Sequence, residues 1–164
     1  MSPPEETERG DDRSREASVR ALRQRALGLL ARREHSRREL ERKLLRRGED
    51  PDELREVLAA LAGEGLLSES RYAEQRTRSL AERGYGSRRV AAELRERGLA
   101  GELVTRSLAG EDWTERAREA RRRRFGAEPP ADRGEWLRQA RFLAGRGFAE
   151  SDVRRALAGV TDDE

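Results

Sequence analysis

Apolar residues recur along the chain at intervals of three and four: Leu27, Leu30 and Ala31, then Leu40 and Leu44, then Leu54, Val57, Leu58 and Leu61. That spacing puts them on one face of an α-helix. No segment alternates with a period of two or is enriched in β-branched residues, so no strand is expected and the fold class is all-α. Ser36 followed by Glu39 has the form of a capping box, in which a hydroxyl and a carboxylate satisfy the free amides of a helix start. One helix is therefore predicted from Ser36 to Arg47, closed by Gly48. Asp50-Pro51 opens the next, because proline is tolerated in a first helical turn.

The pattern repeats. With Gly48, Gly98 and Gly147 aligned, Leu44, Leu94 and Leu143 fall four residues before each glycine, and Leu54, Val104 and Val153 fall six after. Leu58, Leu108 and Leu157 fall ten after, while Leu40 matches Val90 but meets Gln139 in the third copy. The unit is about 45 to 50 residues long, which is the signature of a repeat architecture. Three tandem three-helix repeats are expected, at 19–66, 67–110 and 111–159. A disordered acidic tail is expected at 1–18 and a short acidic one at 160–164. Repeats that contact mainly their neighbours need no central core and form an elongated array. That suits a chain that is 34% hydrophobic and 42% charged.

Charge changes the picture further. The net charge of +3 conceals a pI near 10.1, and arginine supplies nearly all the basic residues, since Lys43 is the single lysine. Arg20 to Asp50 holds 11 basic and 5 acidic residues, a net of +6, whereas Pro51 to Ser70 holds 1 and 5, a net of −4. The alternation recurs as +4 over Arg71 to Ala100 (8 against 4) and −3 over Gly101 to Glu115 (1 against 4). In the third repeat the basic charge gathers at Arg121 to Arg124 on the first helix. If equivalent helices align, one side of the array is basic and the other acidic. Part of this charge also pairs within helices, as Glu39 does four residues before Lys43.

Several chemistries are poorly served. The absence of cysteine excludes disulfides, thiol nucleophiles and thiolate metal sites. His35 is the only histidine, so the usual zinc sites cannot be assembled, and its expected place is helix entry or surface contact. Neither GxxxxGK[ST] nor GxGxxG occurs; RGYG at Arg83 to Gly86 lies between helices and follows no strand. No enzyme, cofactor or metal is expected. No run of about 18 apolar residues is present, and a soluble cytoplasmic chain without a membrane partner is expected. Trp113, Phe125, Trp136, Phe142 and Phe148 suit a core in the third repeat, with Tyr72 at the start of the second. Tyr85, framed by Gly84 and Gly86 and followed by Arg88 and Arg89, has two readings. It either stacks on a base or partner surface or folds back on its own repeat.

LGLLARREHSRRELERKLLRRG in the first repeat, GLLSESRYAEQRTRSLAERGYGSRRVAAELRERGL in the second, and WTERAREARRRRFG with RFLAGRGFAESDV in the third resemble the successive signatures of the RecX family of bacterial recombinase regulators. The resemblance covers residues 22–158. One departure is Ser68, Glu69 and Ser70 before Arg71-Tyr72, where the family often has acidic residues and a phenylalanine. The resemblance implies a non-enzymatic monomer of three three-helix repeats that lies in the groove of the RecA recombinase filament on single-stranded DNA. It implies inhibition of strand exchange, ATP hydrolysis and cleavage of the SOS repressor; some members also bind DNA directly, and double-stranded DNA is an alternative partner. Candidate contacts are Arg32, Arg33, Arg37 and Arg38, then Tyr85, Arg88 and Arg89, then Arg121, Arg122, Arg123 and Arg124. A stand-alone nucleic-acid-binding module and a scaffold for an unrelated acidic partner are the rival readings.

Overall fold

The computed structural model describes residues 5–158, and every regular element among them is an α-helix. The first repeat supplies α1 (Glu5–Arg32), α2 (Arg37–Leu45) and α3 (Pro51–Gly63). The second supplies α4 (Glu69–Glu82), α5 (Ser87–Glu96) and α6 (Gly101–Leu108), and the third α7 (Trp113–Phe125), α8 (Arg133–Gly145) and α9 (Glu150–Ala158). The fold is all-α, with tandem helical repeats, as the periodicity predicts.

Local chemistry sets the helix starts. The Ser36 hydroxyl accepts from the Glu39 amide at 3.1 Å, and the Asp50 carboxylate accepts from the amides of Asp52 and Glu53 ahead of α3, with Pro51 in its first turn. Asp112 and Asp132 cap α7 and α8 in the same way, each through the amide three residues on. These caps satisfy amides that have no partner within the helix. The three aligned glycines end the second helix of each repeat with φ of +76° at Gly48, +81° at Gly98 and +89° at Gly147. Glycine alone adopts that backbone without steric cost.

The chain forms two compact units, one reaching Tyr72 and the other beginning at Ala73. In the first, Leu22 and Ala26 of α1 pack with Leu40 and Leu44 of α2 and with Leu54, Val57, Leu58 and Leu61 of α3. Full burial of each such leucine contributes roughly 1.5–3 kcal/mol. The face of α1 that is deepest in this core is Leu22 and Ala26; Leu27 and Leu30 are partly buried beside it and Ala31 is exposed.

The second unit combines the remaining two repeats. Val90, Leu94 and Val104 are fully buried in it, and Thr77 of α4 donates to the buried Ser107 hydroxyl of α6 at 3.3 Å. In the third repeat Phe148, Leu143, Leu157 and Ala117 form the core, with Trp113, Trp136 and Phe142 packed at its edge. Phe125 lies half-buried, edge-on to Phe142. Two loops join repeats two and three at backbone level. The Gly86 amide donates to the Arg146 carbonyl, and the Arg88 amide to the Gly147 carbonyl, both at 2.9 Å. A Cβ on Gly86 would collide with the backbone of Gly147 and Phe148, and one on Gly147 would lie 2.8 Å from the Arg89 nitrogen.

The amino-terminal segment differs from expectation. Instead of a disordered tail over 1–18, helix α1 begins at Glu5. The reason lies across the fold: Ser18 donates to Glu53 at 2.6 Å and Arg15 to Glu56 at 2.9 Å, so α3 supports a stretch that has no apolar face of its own. Residues 1–4, and the carboxyl-terminal tail expected at 160–164, lie outside the described residues.

The aligned glycines have unequal surroundings, which gives a direct test. Nothing lies within 4 Å of a Cβ placed on Gly48. Gly48→Ala is therefore expected to cost about 1 kcal/mol through its backbone alone. Gly147→Ala adds the clash with Arg89 and is expected to cost more than about 3 kcal/mol. Urea denaturation of both variants checks this; equal losses would refute the loop-to-loop contact.

Candidate partner-binding surfaces

The first candidate cluster lies where α1 meets α2. His35 is fully buried there, and its Nδ1 donates to the Arg33 carbonyl at 2.9 Å, leaving Nε2 to accept from Lys43 Nζ at 3.0 Å. Of the two places expected for His35, helix entry is the one it occupies, from inside the fold. Burial, with the nearby Arg33 and Lys43 charges, holds its pKa below the ordinary value. Glu39 is also buried. Burial alone would raise its carboxyl, but hydrogen bonds from Arg33 and the charges of Arg33 and Lys43 bring it down to about 2.

This network changes the standing of the candidates around it. Arg33 is tied to Glu39 and to the Glu34 carbonyl, and Arg37 pairs with Glu41 at 3.7 Å. The Arg37 backbone amide donates to Glu69, and Arg71 donates to Glu34 at 2.7 Å, so the start of α2 is laced to the start of α4. Arg32 and Arg38 are exposed. At the other end of α2, Arg42, Arg46 and Arg47 are exposed and form no ion pair among the described residues. They are not among the candidate contacts named from the sequence, although RKLLRRG contains them all.

The second cluster is built on Tyr85. Its ring is half-buried, with the Arg146 guanidinium at 4.1 Å from the ring centroid, that of Arg89 at 4.3 Å and that of Arg83 at 5.7 Å. Arg146 also donates to the Gly84 carbonyl at 3.2 Å and the Arg83 carbonyl at 2.8 Å, while Arg123 donates to the Glu82 carbonyl at 2.7 Å. Cations thus meet the negative end of α4, where the last carbonyls lack helical partners. The Tyr85 ring thus packs against arginines of its own repeat and, through Arg146, of the third repeat. Arg88 is exposed beside it. Arg146 was not foreseen, yet the repeat alignment carries a signal for it: Arg47, Arg97 and Arg146 each precede the aligned glycine.

Beside the ring is an open cavity of about 450 Å³, lined by Arg76, Arg83, Tyr85, Arg89, Glu93 and Glu96 with Leu80 and Ala92. Arg76 is ion-paired with Glu93, which also takes Arg97 at 3.3 Å.

The arginine run of α7 divides by position around the helix. Arg121 is buried and donates to the Glu128 carbonyl at 3.0 Å, the Ala127 carbonyl at 3.3 Å and Gln139 at 3.1 Å. It tethers the α7–α8 connection, which corrects its inclusion among surface contacts. Gln139 occupies the position that is Leu40 and Val90 in the other repeats, and it is the partner of this buried cation. Arg122 pairs with Glu115 at 2.9 Å, and Arg124 lies over Phe125 at 5.3 Å; both are exposed.

Among the described residues there is no helix long and apolar enough to cross a membrane and no acidic or histidine cluster suited to a metal. Capped three-helix modules repeated along the chain define a class of all-α proteins with tandem helical repeats. The family is also identifiable. Models of the first, second and third three-helix domains of RecX match residues 23–61, 68–108 and 110–157. The regulatory protein RecX of Halorhodospira halophila is 54% identical over 150 residues, covering 90% of this chain and 93% of the relative. That of Pseudomonas syringae pv. tomato is 44% identical over 146 residues, covering 88% and 94%. The crystal structure of RecX from Lactobacillus salivarius shares the fold at a TM-score of 0.75 and 18% identity, over 88% of this chain and 97% of that one. The chain belongs to the RecX family of regulatory proteins.

Two outcomes test the buried charges. The Glu39 pKa is depressed in the folded chain, so its contribution is complete above the ordinary value of 4.5 and is lost as pH falls toward about 2. That contribution is about 3 kcal/mol. His35 acts in the same direction at higher pH, since the unfolded chain takes up its proton first. Denaturation of wild type and Glu39→Gln across pH 3 to 7 should therefore show a stability gap that narrows below pH 4.5; a constant gap would contradict the network. Arg121→Gln strands two carbonyls and is expected to cost about 2–3 kcal/mol. Arg122→Gln, at an exposed pair, should cost under about 0.5 kcal/mol by the same assay.

Proposed function

We propose that this chain binds the RecA recombinase filament on single-stranded DNA and moderates its activity without catalysing a reaction itself. Membership of the RecX family across three consecutive domains is the observation that carries this reading. The arrangement of charge supports it. Arg32 and Arg38 around the start of α2, Arg88 in the first turn of α5 and Arg122 and Arg124 in α7 are exposed, so their charge is within reach of a partner. Electrostatic matching of this kind sets orientation and association rate. Inhibition of ATP hydrolysis, strand exchange and repressor cleavage is the expected direction, and the cytoplasm the expected setting.

A stand-alone nucleic-acid-binding module is the second reading, favoured by one feature. Arg42 in the last turn of α2 and Arg46 at its C-cap lie four apart and are exposed, and a bound anion would relieve their mutual repulsion. Phosphate is such an anion, and binding through it weakens steeply with salt.

Titration of the chain into RecA hydrolysing ATP on single-stranded DNA separates the two. Hydrolysis is expected to fall at chain concentrations well below those that coat bare DNA at the same salt. A fall confined to DNA-coating concentrations would favour the nucleic-acid module. In either case Arg42→Gln with Arg46→Gln is expected to weaken DNA binding at least several-fold and to flatten its dependence on salt, read by fluorescence anisotropy.

A further inference from the structure

The cavity beside Tyr85 has an electrostatic layout that a general basic surface does not require. Arg76, one of the cations that line it, is answered by Glu93. At the ring, the Arg83 and Arg89 guanidiniums lie 5.7 and 4.3 Å from the Tyr85 centroid. Each guanidinium presents several N–H donors in one plane, and stacking engages its face while leaving the donors of its edge available. Stacking on Tyr85 also removes rotamer freedom from Arg89 before any partner arrives, which lowers the entropic cost of binding.

Two guanidiniums converging on one ring favour a small planar anion with two acceptor oxygens, held by paired N–H donors. Two observations favour a carboxylate over a nucleic acid strand. Glu93 and Glu96 line the same cavity, so a strand carrying a charge on every nucleotide would bring neighbouring phosphates toward fixed carboxylates, whereas a single carboxylate would not. The Tyr85 ring, already engaged by Arg89 and Arg146 at stacking distance, is a poor platform for a base.

We propose that this cavity is a carboxylate-accepting subsite that takes an aspartate or glutamate side chain of the protein partner. Arg83 and Arg89 bind it, and Tyr85 is the positioning residue that holds Arg89 in register. The inference rests on the filament-binding reading above and deepens it: the Tyr85 cavity faces recombinase protein, and DNA contact belongs to other arginines.

The test compares the affinity of the full chain for RecA assembled on a single-stranded oligonucleotide with its affinity for that oligonucleotide alone. The Arg83→Gln, Arg89→Gln double variant alters exposed side chains and leaves the core intact. It is expected to bind the filament roughly tenfold more weakly or worse while its affinity for the bare oligonucleotide stays within about twofold. Tyr85→Leu is expected to share the filament defect, and Tyr85→Phe, which keeps the ring, to restore near wild-type binding. Parallel loss on filament and bare DNA would make the cavity a phosphate site and overturn the proposal. Unchanged filament binding by the double variant would overturn it too. Failure of the wild-type chain to bind the filament at all would remove the underlying reading, and this one with it.

Discussion

A residue able to hold a left-handed backbone stands at the end of the second helix in every repeat, and the geometry of the molecule follows from it. At Gly48, Gly98 and Gly147 the positive φ stops one helix and turns the chain so that the next can pack back on it. At Gly147 the missing side chain does a second job. The turn approaches the backbone at Arg89 closely enough that the amides of Gly86 and Arg88 bond to the carbonyls of Arg146 and Gly147. A turn needed within one repeat thus becomes the point at which it joins another.

Arg146 reinforces that junction electrostatically. It binds the carbonyls of Arg83 and Gly84 beyond the end of α4 and lies over Tyr85, while Arg123 binds the Glu82 carbonyl. Each group meets the need of another: helix-terminal carbonyls require donors, guanidiniums supply several, and a tyrosine ring covers the guanidinium face. Placing these cations at the negative end of α4 also offsets its dipole.

An arginine-rich composition is therefore a poor guide to how much positive surface a partner meets. Arg121 is internal, Arg33 answers a buried glutamate, and Arg71 and Arg116 bind carboxylates near their own helices. Exposed pairs of this kind add little stability, whereas the buried ones fix local structure, because an unanswered buried charge is costly. The stretch RRRR contains one buried residue, Arg121, and three exposed ones, of which Arg123 binds the Glu82 carbonyl and Arg122 pairs with Glu115.

Helix period, caps and turn glycines are local properties, and the sequence by itself determined them. Ser36, Asp50 and the aligned glycines act through neighbours at most a few residues away, so the all-α class and the three-fold repeat are readable from spacing. Family membership is legible for the same reason, since its signatures are largely core and turn residues. The tertiary structure alone decided three matters. The part of helix α1 at Arg15 and Ser18 is supported because α3 offers Glu56 and Glu53 across the fold. Repeats two and three share one compact unit because two distant loops meet without side chains between them. The contacts of the candidate arginines follow from which carboxylates, carbonyls and rings the fold brings within reach. Hydrophobic periodicity reports which way a side chain faces, but the partner of a charge is set by folding, often from more than 30 residues away, as with Arg71 and Glu34.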